Sequence, residues 1–337
     1  MATSAGAGVA DVDRRLLVRH PVAAFLLIAY AVGWAVQLAA VKLGLPPRYA
    51  SSVSVLVGLA LPAVLVTAVT GGAPAVRDLV RRCLRWRVGL RWYALALLGM
   101  LAGTVLAAAP FLGSAPLTTL VEKWPLLFTM FLPEILIALV LIQFWEEAAW
   151  TGFLQHTLQR RHGPALAAVM VAPAFALSHL MFDLLESDTT ASALIKLAAH
   201  AVLAVLLRVL VAWQYNGARH SVLVAGIFHA AFNSATGSGG MRFTRELFTA
   251  PQSASITLWV PLGVLAAAAA VVAVRMGRQS ALVPAVTSTV PAVGSSSATS
   301  STIRTRCVSA ARTQLDHVDA PAGDRSPSHG TSGAATP

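Results

Sequence analysis

Charged residues are scarce in this sequence, and their scarcity excludes an ordinary soluble protein. Only 12% of the 337 residues are charged, whereas 56% are hydrophobic, and the mean hydropathy is +0.69. Soluble domains carry about twice that share of charge. A net charge of +11 would indicate a nucleic-acid partner in a soluble protein. Here the basic residues flank apolar runs, so they indicate membrane topology, and no nucleic-acid partner is expected.

Cysteine is nearly absent as well. Cys83 lies in a basic segment and Cys307 in a polar tail, far apart in the chain. This usage argues against a structural disulfide and against a zinc site built from cysteine.

Apolar runs long enough to cross a bilayer are abundant. A span needs about 20 apolar residues in helical form. The candidate spans cover residues 21–41, 53–69, 93–112, 126–159, 164–182, 191–213, 221–234 and 256–274. They predict an all-α fold, a polytopic transmembrane bundle of about eight helices within residues 21–278. Residues 279–337 are rich in Ser, Thr, Ala and Pro and predict a disordered tail, because they cannot bury enough apolar surface to fold.

Basic residues predict the orientation of these spans. Six arginines lie in residues 75–92 among leucine, valine and tryptophan, a pattern that fits either an amphipathic segment on the membrane surface or a solvated loop. Other arginines precede the first span and follow the fourth, sixth and last spans. Short cytoplasmic loops accumulate such residues. We therefore expect a multi-pass protein of the cell membrane with both termini, including residues 1–20, in the cytoplasm.

Among the polar residues inside predicted spans, where ionisable groups are costly and usually functional, five are candidates for a common site. They are Glu146, Glu147, His179, His229 and Asn233. At about 1.5 Å per residue, Glu146, His179 and Asn233 lie roughly 21, 24 and 21 Å from the predicted cytoplasmic boundary. Because polar residues of three helices lie at a similar depth, the sequence predicts that they share one polar cavity. Separate interhelical hydrogen bonds of the histidines and an ion or proton pathway through the glutamates are the alternatives.

The residue types in this predicted cavity suit peptide hydrolysis. A buried glutamate can activate water as a general base, and a histidine can hold that water. A histidine and an asparagine one helical turn apart can donate hydrogen bonds to an oxyanion. Glu146, His179 and His229 would also suit a divalent metal such as zinc. The H-E-x-x-H motif of zinc proteases is missing, so the need for a metal stays open.

The three polar segments resemble the motifs of the CAAX-processing and bacteriocin-processing family of intramembrane proteases. The family patterns E-E-x-x-x-R-G, F-x-x-x-H and H-x-x-x-N correspond to EEAAWTG from Glu146, FALSH ending at His179 and HAAFN from His229. The resemblance covers roughly residues 20–275. It implies an eight-helix fold and a peptide or membrane-protein substrate in the lipid bilayer. It also implies that Glu146 and His179 activate water, that His229 and Asn233 stabilise the oxyanion, and that Glu147 supports them.

The sequence departs from the family pattern at Thr151, which stands where the family has arginine. Three explanations are open: another cation replaces that arginine, Glu147 is protonated, or activity is reduced. Arg208 in the sixth span is the candidate cation. It could pair with Glu147, or its long side chain could extend to the cytoplasmic headgroups.

Three classes of function are consistent with these features. The first is a membrane-embedded endopeptidase. The second is a catalytically weak relative that acts as a scaffold or immunity-type protein. The third is a transporter, which would often show paired, interrupted spans in two halves of the chain; no such pairing is evident.

Overall fold

The described part of the chain consists of helices joined by short turns. The structure is a computed structural model that describes residues 17–236, 243, 246 and 253–281, and these contain no strand. Following the chain, we number the helices α1 (Pro21–Lys42), α2 (Tyr49–Cys83), α3 (Leu90–Leu112), α4 (Ala115–Glu122), α5 (Leu127–Leu185), α6 (Thr190–Gly217), α7 (Val222–Thr236) and α8 (Ser253–Ala281). The predicted tail falls outside the described residues from 282 onward.

Five of these helices, α1, α2, α3, α5 and α6, are long and apolar enough to cross a membrane. Helix α5 runs for 59 residues, but Gly163 has a φ of 75° and is followed by Pro164, which cannot continue the helical hydrogen bonding. This break divides α5 into two arms and falls between the fourth and fifth predicted spans. Helix α7, of 15 residues, and helix α8, of 29 residues, correspond to the seventh and last spans. The prediction of an all-α bundle of apolar helices is confirmed.

Aromatic packing joins the helices that carry the polar motifs. Trp150 is fully buried, with its ring centroid 5.8 Å from Phe25 of α1 and 6.0 Å from Phe175 of α5. The outward faces of the helices are apolar too: Leu27, Leu106 and Ile195 are each at least 70% exposed. Apolar surface on both sides of a helix suits a bundle surrounded by lipid.

Helices α1 and α2 approach closely at two glycines. A Cβ atom on Gly58 would lie only 2.4 Å from the Cα atom of Gly33. Small residues at such a contact allow two membrane helices to pack backbone to backbone. The contact matters for the site because both helices line its cavity.

Part of the basic segment at residues 75–92 is buried. Helix α2 continues to Cys83, and Arg82 is only 7% exposed. Its Nη1 donates to the Gly152 carbonyl at 2.5 Å and to the Tyr215 hydroxyl at 3.0 Å, and its Nε donates to Asp78 at 2.9 Å. Arg82 is therefore not part of a solvated loop, and the prediction of a solvated loop is wrong at this residue. This arginine links α2, α5 and α6.

Candidate active site

Four of the five predicted site residues line one cavity of about 560 Å³. Glu146 comes from the first arm of α5, His179 from its second arm, and His229 and Asn233 from α7. The structure therefore brings together the side chains that the depth estimate placed at one level. Glu147 is completely buried and does not line the cavity.

The two glutamates occupy a single α-helical turn between two π-helical stretches. Phe144–Glu147 lies between Leu139–Gln143 and Ala148–Gln155. Wider π-turns change which way successive side chains face, and they occur frequently at functional sites. Here the turn directs one carboxylate towards the cavity and the next into the protein.

Hydrogen-bond donors fill the whole carboxylate of Glu147. Its Oε1 accepts from Arg208 Nη2 and, at 2.8 Å, from His229 Nδ1. Its Oε2 accepts from the Thr151 hydroxyl and, at 3.1 Å, from Arg208 Nη1. Four donors on two oxygens, including both arms of a guanidinium, describe an ionised carboxylate. Both carboxylate oxygens of Glu147 are thus occupied by hydrogen bonds within the protein.

The cation that faces Glu147 is Arg208. The side chain of Arg208 is 2% exposed, and its Cζ lies 4.8 Å above the Phe175 ring. Of the two predicted roles for Arg208, the ion pair with Glu147 is therefore confirmed. The extension of its side chain to the cytoplasmic headgroups is wrong. Arg208 is thus the cation paired with Glu147, and its replacement of the arginine that the family pattern has at position 151 stays a prediction. Thr151 adds a hydrogen bond to the same carboxylate.

Each of the two motif histidines is held through Nδ1. His179 Nδ1 lies 3.0 Å from the Phe175 carbonyl, which only accepts, so this nitrogen is assigned as the donor. His229 Nδ1 faces the ionised Glu147 and is likewise a donor; it lies 3.7 Å from Glu146 Oε2. Nε2 is therefore the nitrogen that each ring has left for a substrate or a water molecule.

Glu146 differs from Glu147 in its partners although the two are adjacent. It faces the cavity, and its Oε2 lies 3.7 Å from His229 Nδ1. No arginine or lysine within the described residues forms an ion pair with it. Two carboxylates in such different surroundings suit different roles: Glu146 is positioned to act on a substrate, and Glu147 to hold the site together.

A second carboxylate–imidazole pair belongs to the same cavity, and the sequence analysis missed it. His200 Nδ1 lies 2.9 Å from Asp183 Oδ2, and the His200 ring centroid lies 4.8 Å from that of His179. Asp183 follows directly after the fifth predicted span in the sequence, and it is buried near the end of α5. The available signal was a histidine inside the sixth span, but nothing in the sequence connected it with Asp183.

The described residues do not form a metal centre. No group of three or more His, Cys, Asp or Glu side chains in residues 17–236 and 253–281 has an arrangement that could hold a metal ion. In the predicted zinc set, Nδ1 of both His179 and His229 already takes part in a hydrogen bond. A metal requirement stays a prediction, and a metal would have to bind Nε2 of these rings.

Together, the fold and the cavity define a helical membrane protein with a buried carboxylate–imidazole centre. Residues 128–235 match the family described as type II CAAX prenyl endopeptidase, Rce1-like. This segment contains all five predicted site residues and Arg208. The predicted relationship to CAAX-processing proteases is thereby confirmed over residues 128–235. No curated protein shows significant similarity to the chain.

Proposed function

We propose that this protein is a multi-pass membrane endopeptidase that hydrolyses a peptide bond with water activated by Glu146. The observation that carries the proposal is the convergence of Glu146, His179, His229 and Asn233 on one cavity. The chain's similarity to CAAX-type endopeptidases agrees with it. Substrates would be peptides or membrane proteins that reach the cavity from the bilayer, and both termini would be cytoplasmic.

The proposed reaction begins with water held between Glu146 and Nε2 of His179. Glu146 takes a proton as the water oxygen bonds to the peptide carbon. The carbonyl oxygen becomes an oxyanion, which accepts hydrogen bonds from the Asn233 amide and from Nε2–H of His229. His229 donates there as an imidazolium, which the carboxylate of Glu147 stabilises. When the C–N bond breaks, the proton on Glu146 passes to the leaving amine.

The alternative of a catalytically weak scaffold was based on Thr151, which stands in place of the family arginine. The Glu147–Arg208 pair removes the reason for that expectation, because the site still has its buried cation. No specific observation favours the transporter alternative.

Cleavage by the purified protein in liposomes tests the proposal. We would incubate it with a set of short fluorescein-labelled apolar peptides, with and without a farnesylated C-terminal cysteine, and identify products by mass spectrometry. Loss of a general base lowers rates by about 10² to 10⁴, so Glu146→Gln should abolish detectable cleavage. Glu122→Gln, an exposed change in α4, is the control. Equal cleavage by wild type and Glu146→Gln would refute the mechanism.

A further inference from the structure

Two glutamines and a tryptophan in the cavity wall have polar atoms without partners. Gln37 and Gln143 are more than nine-tenths buried. In the described part of the chain, Oε1 of each glutamine and Nε1 of Trp34 are shielded from solvent and have no hydrogen-bond partner. The other buried polar side-chain atoms that lack a hydrogen-bond partner belong to residues that do not line the cavity. A polar atom in this state is costly, so its presence in a binding cavity indicates a ligand.

The donor or acceptor character of these atoms follows from their neighbours. Gln37 Nε2 donates to Ser54 Oγ at 3.0 Å and to the Ser178 carbonyl at 3.3 Å. Because the carbonyl only accepts, the other end of the Gln37 amide is its oxygen. Trp34 stacks on Tyr30 with ring centroids 5.1 Å apart, and its Nε1–H can only donate. The wall therefore offers the Gln37 amide oxygen as an acceptor and the indole as a donor, and it presents a second unpartnered amide oxygen at Gln143.

The three residues come from two helices around the cavity. Trp34 and Gln37 are three residues apart on α1 and share one face. Gln143 precedes Glu146 by three residues on α5 and lies beside the proposed general base. The terminal torsion angle of a glutamine side chain has a broad distribution. Small rotations about it would therefore bring these amide oxygens within reach of a bound molecule.

An extended peptide has the complementary set of groups. The N–H and C=O groups of one residue in a strand point to the same edge, and those of the next residue point to the opposite edge. Trp34 Nε1–H can donate to the C=O of one peptide residue, and Gln37 Oε1 can accept from the N–H of the same residue. Gln143 Oε1 can accept from the N–H of the neighbouring peptide residue. In a membrane every backbone group needs a partner, so a protease that acts there must provide such partners.

We propose that Trp34, Gln37 and Gln143 form a subsite that binds the backbone of an extended peptide next to the scissile bond. The inference rests on the proposed function and deepens it, because it states how the cavity recognises its substrate class. The contacts involve only backbone groups, so they are independent of the substrate's side chains.

The subsite predicts a change in binding with little change in the chemical step. Gln143→Ala and Gln37→Ala should each raise KM about tenfold, as expected when one hydrogen bond to a buried partner is lost, with kcat nearly unchanged. Gln214→Ala is the matched control, since Gln214 is also a buried glutamine with an unpartnered Oε1 outside the cavity. Values of KM equal to that of the control would overturn the subsite.

Modified peptides test the same contacts on the unaltered protein. Each N–H of a labelled peptide would be replaced in turn by N–CH₃, and binding to the inactive Glu146→Gln protein measured by fluorescence anisotropy. Two methylations should weaken binding about tenfold, and Gln37→Ala or Gln143→Ala should each remove one of these penalties. Penalties that persist in both variants, or no binding of any peptide, would overturn the subsite.

The binding assay also separates this inference from the proposed function. If peptides bind in the predicted way but wild type cleaves none, the proposed protease activity is wrong and the peptide subsite stands. If wild type cleaves and Glu146→Gln does not, but the glutamine variants match the control, only the subsite is wrong.

Discussion

At the scale of single residues, the site depends on two adjacent glutamates with opposite surroundings. Glu147 receives four hydrogen bonds, and Glu146 faces the cavity without an arginine or lysine in the described ion pairs. An isolated buried carboxylate is strongly unfavourable, whereas one surrounded by donors is stable as the anion. The Glu147 cluster therefore fixes His229 and this turn of α5, and Glu146 is left for chemistry.

The Arg208 pair leads to a prediction about stability. Arg208→Leu leaves the buried Glu147 without its cation and should destabilise the protein by about 3–5 kcal/mol. Adding Thr151→Arg should recover much of this loss, because residue 151 lies one turn after Glu147 on the same face. Thermal unfolding and cleavage would be measured for both single variants and the double variant. Arg81→Leu at a 70% exposed side chain is the control, and strictly additive effects would show that the positions share no partner.

Catalytic roles predict graded losses among the other cavity residues. His179→Ala removes the proposed water ligand and should abolish detectable cleavage. Asn233→Ala removes one oxyanion donor and should lower kcat by about 10² to 10³. Both rates would be compared at equal amounts of folded protein in liposomes. A wild-type rate in His179→Ala would assign water activation to another group.

Residues of the site differed in how well the sequence predicted them. Glu146, His179 and His229 stood out because an ionisable group in an apolar run has few structural explanations. Arg208 was identified as a partner because a buried anion requires a cation. Asp183 and Gln143 gave no such signal: Asp183 borders a polar loop, and an uncharged glutamine is not unusual in a membrane helix.

At the scale of elements, the positions of the long apolar helices were predictable and local helix geometry was not. The length and hydropathy of α1, α3 and α6 matched their predicted spans, because a membrane sets both quantities. The π-helical stretches around Phe144–Glu147 could not be recognised from the sequence, because a uniformly apolar segment has no hydrophobic periodicity. The family resemblance implied different roles for the two glutamates, and the structure adds that Glu146 lines the cavity whereas Glu147 is buried beside it.

The contact between α1 and α2 predicts that two glycine substitutions have opposite effects. Gly58→Ala places a Cβ atom 2.4 Å from Gly33 Cα, so the helices must separate, and overpacking of this kind typically costs about 1–3 kcal/mol. Gly99→Ala in α3 meets nothing within 4 Å and should be neutral or stabilising, since alanine favours helix. Thermal unfolding in detergent measures both. Equal stability of the two variants would contradict the described contact.

At the scale of the whole molecule, a polar cluster lies where α2, α5 and α6 meet. Arg82 joins the Gly152 carbonyl to the Tyr215 hydroxyl, and that hydroxyl lies 3.1 Å from His156 Nδ1. Exposed arginines lie close by in the chain, at Arg81 and Arg87. The basic segment thus has two parts: a buried arginine that fastens three helices together, and exposed arginines that suit a cytoplasmic membrane surface.

The order of helices along the chain predicts the side of the membrane on which each loop lies. With the loop at residues 84–89 in the cytoplasm, α3 crosses to the outside before Thr119. The two arms of α5, separated by the break at Gly163, cross inward and outward again before Asp188. Helices α6, α7 and α8 add three crossings, so a reporter at Ser297 returns to the cytoplasm.

Fusions to a reporter that is active on only one side of the membrane test on which side each loop lies. Fusions at Leu84 and Ser297 should report the cytoplasm, and fusions at Thr119, Asp188 and residue 252, which lies outside the described residues, should report the exterior. Thr119 and Asp188 are decisive together, because an even number of crossings separates them only if α5 spans the membrane twice. Opposite results at these two positions would show that the two arms do not both cross. Cytoplasmic results at both would invert the orientation and place the arginines of residues 81–91 outside, against the distribution of basic residues in membrane proteins.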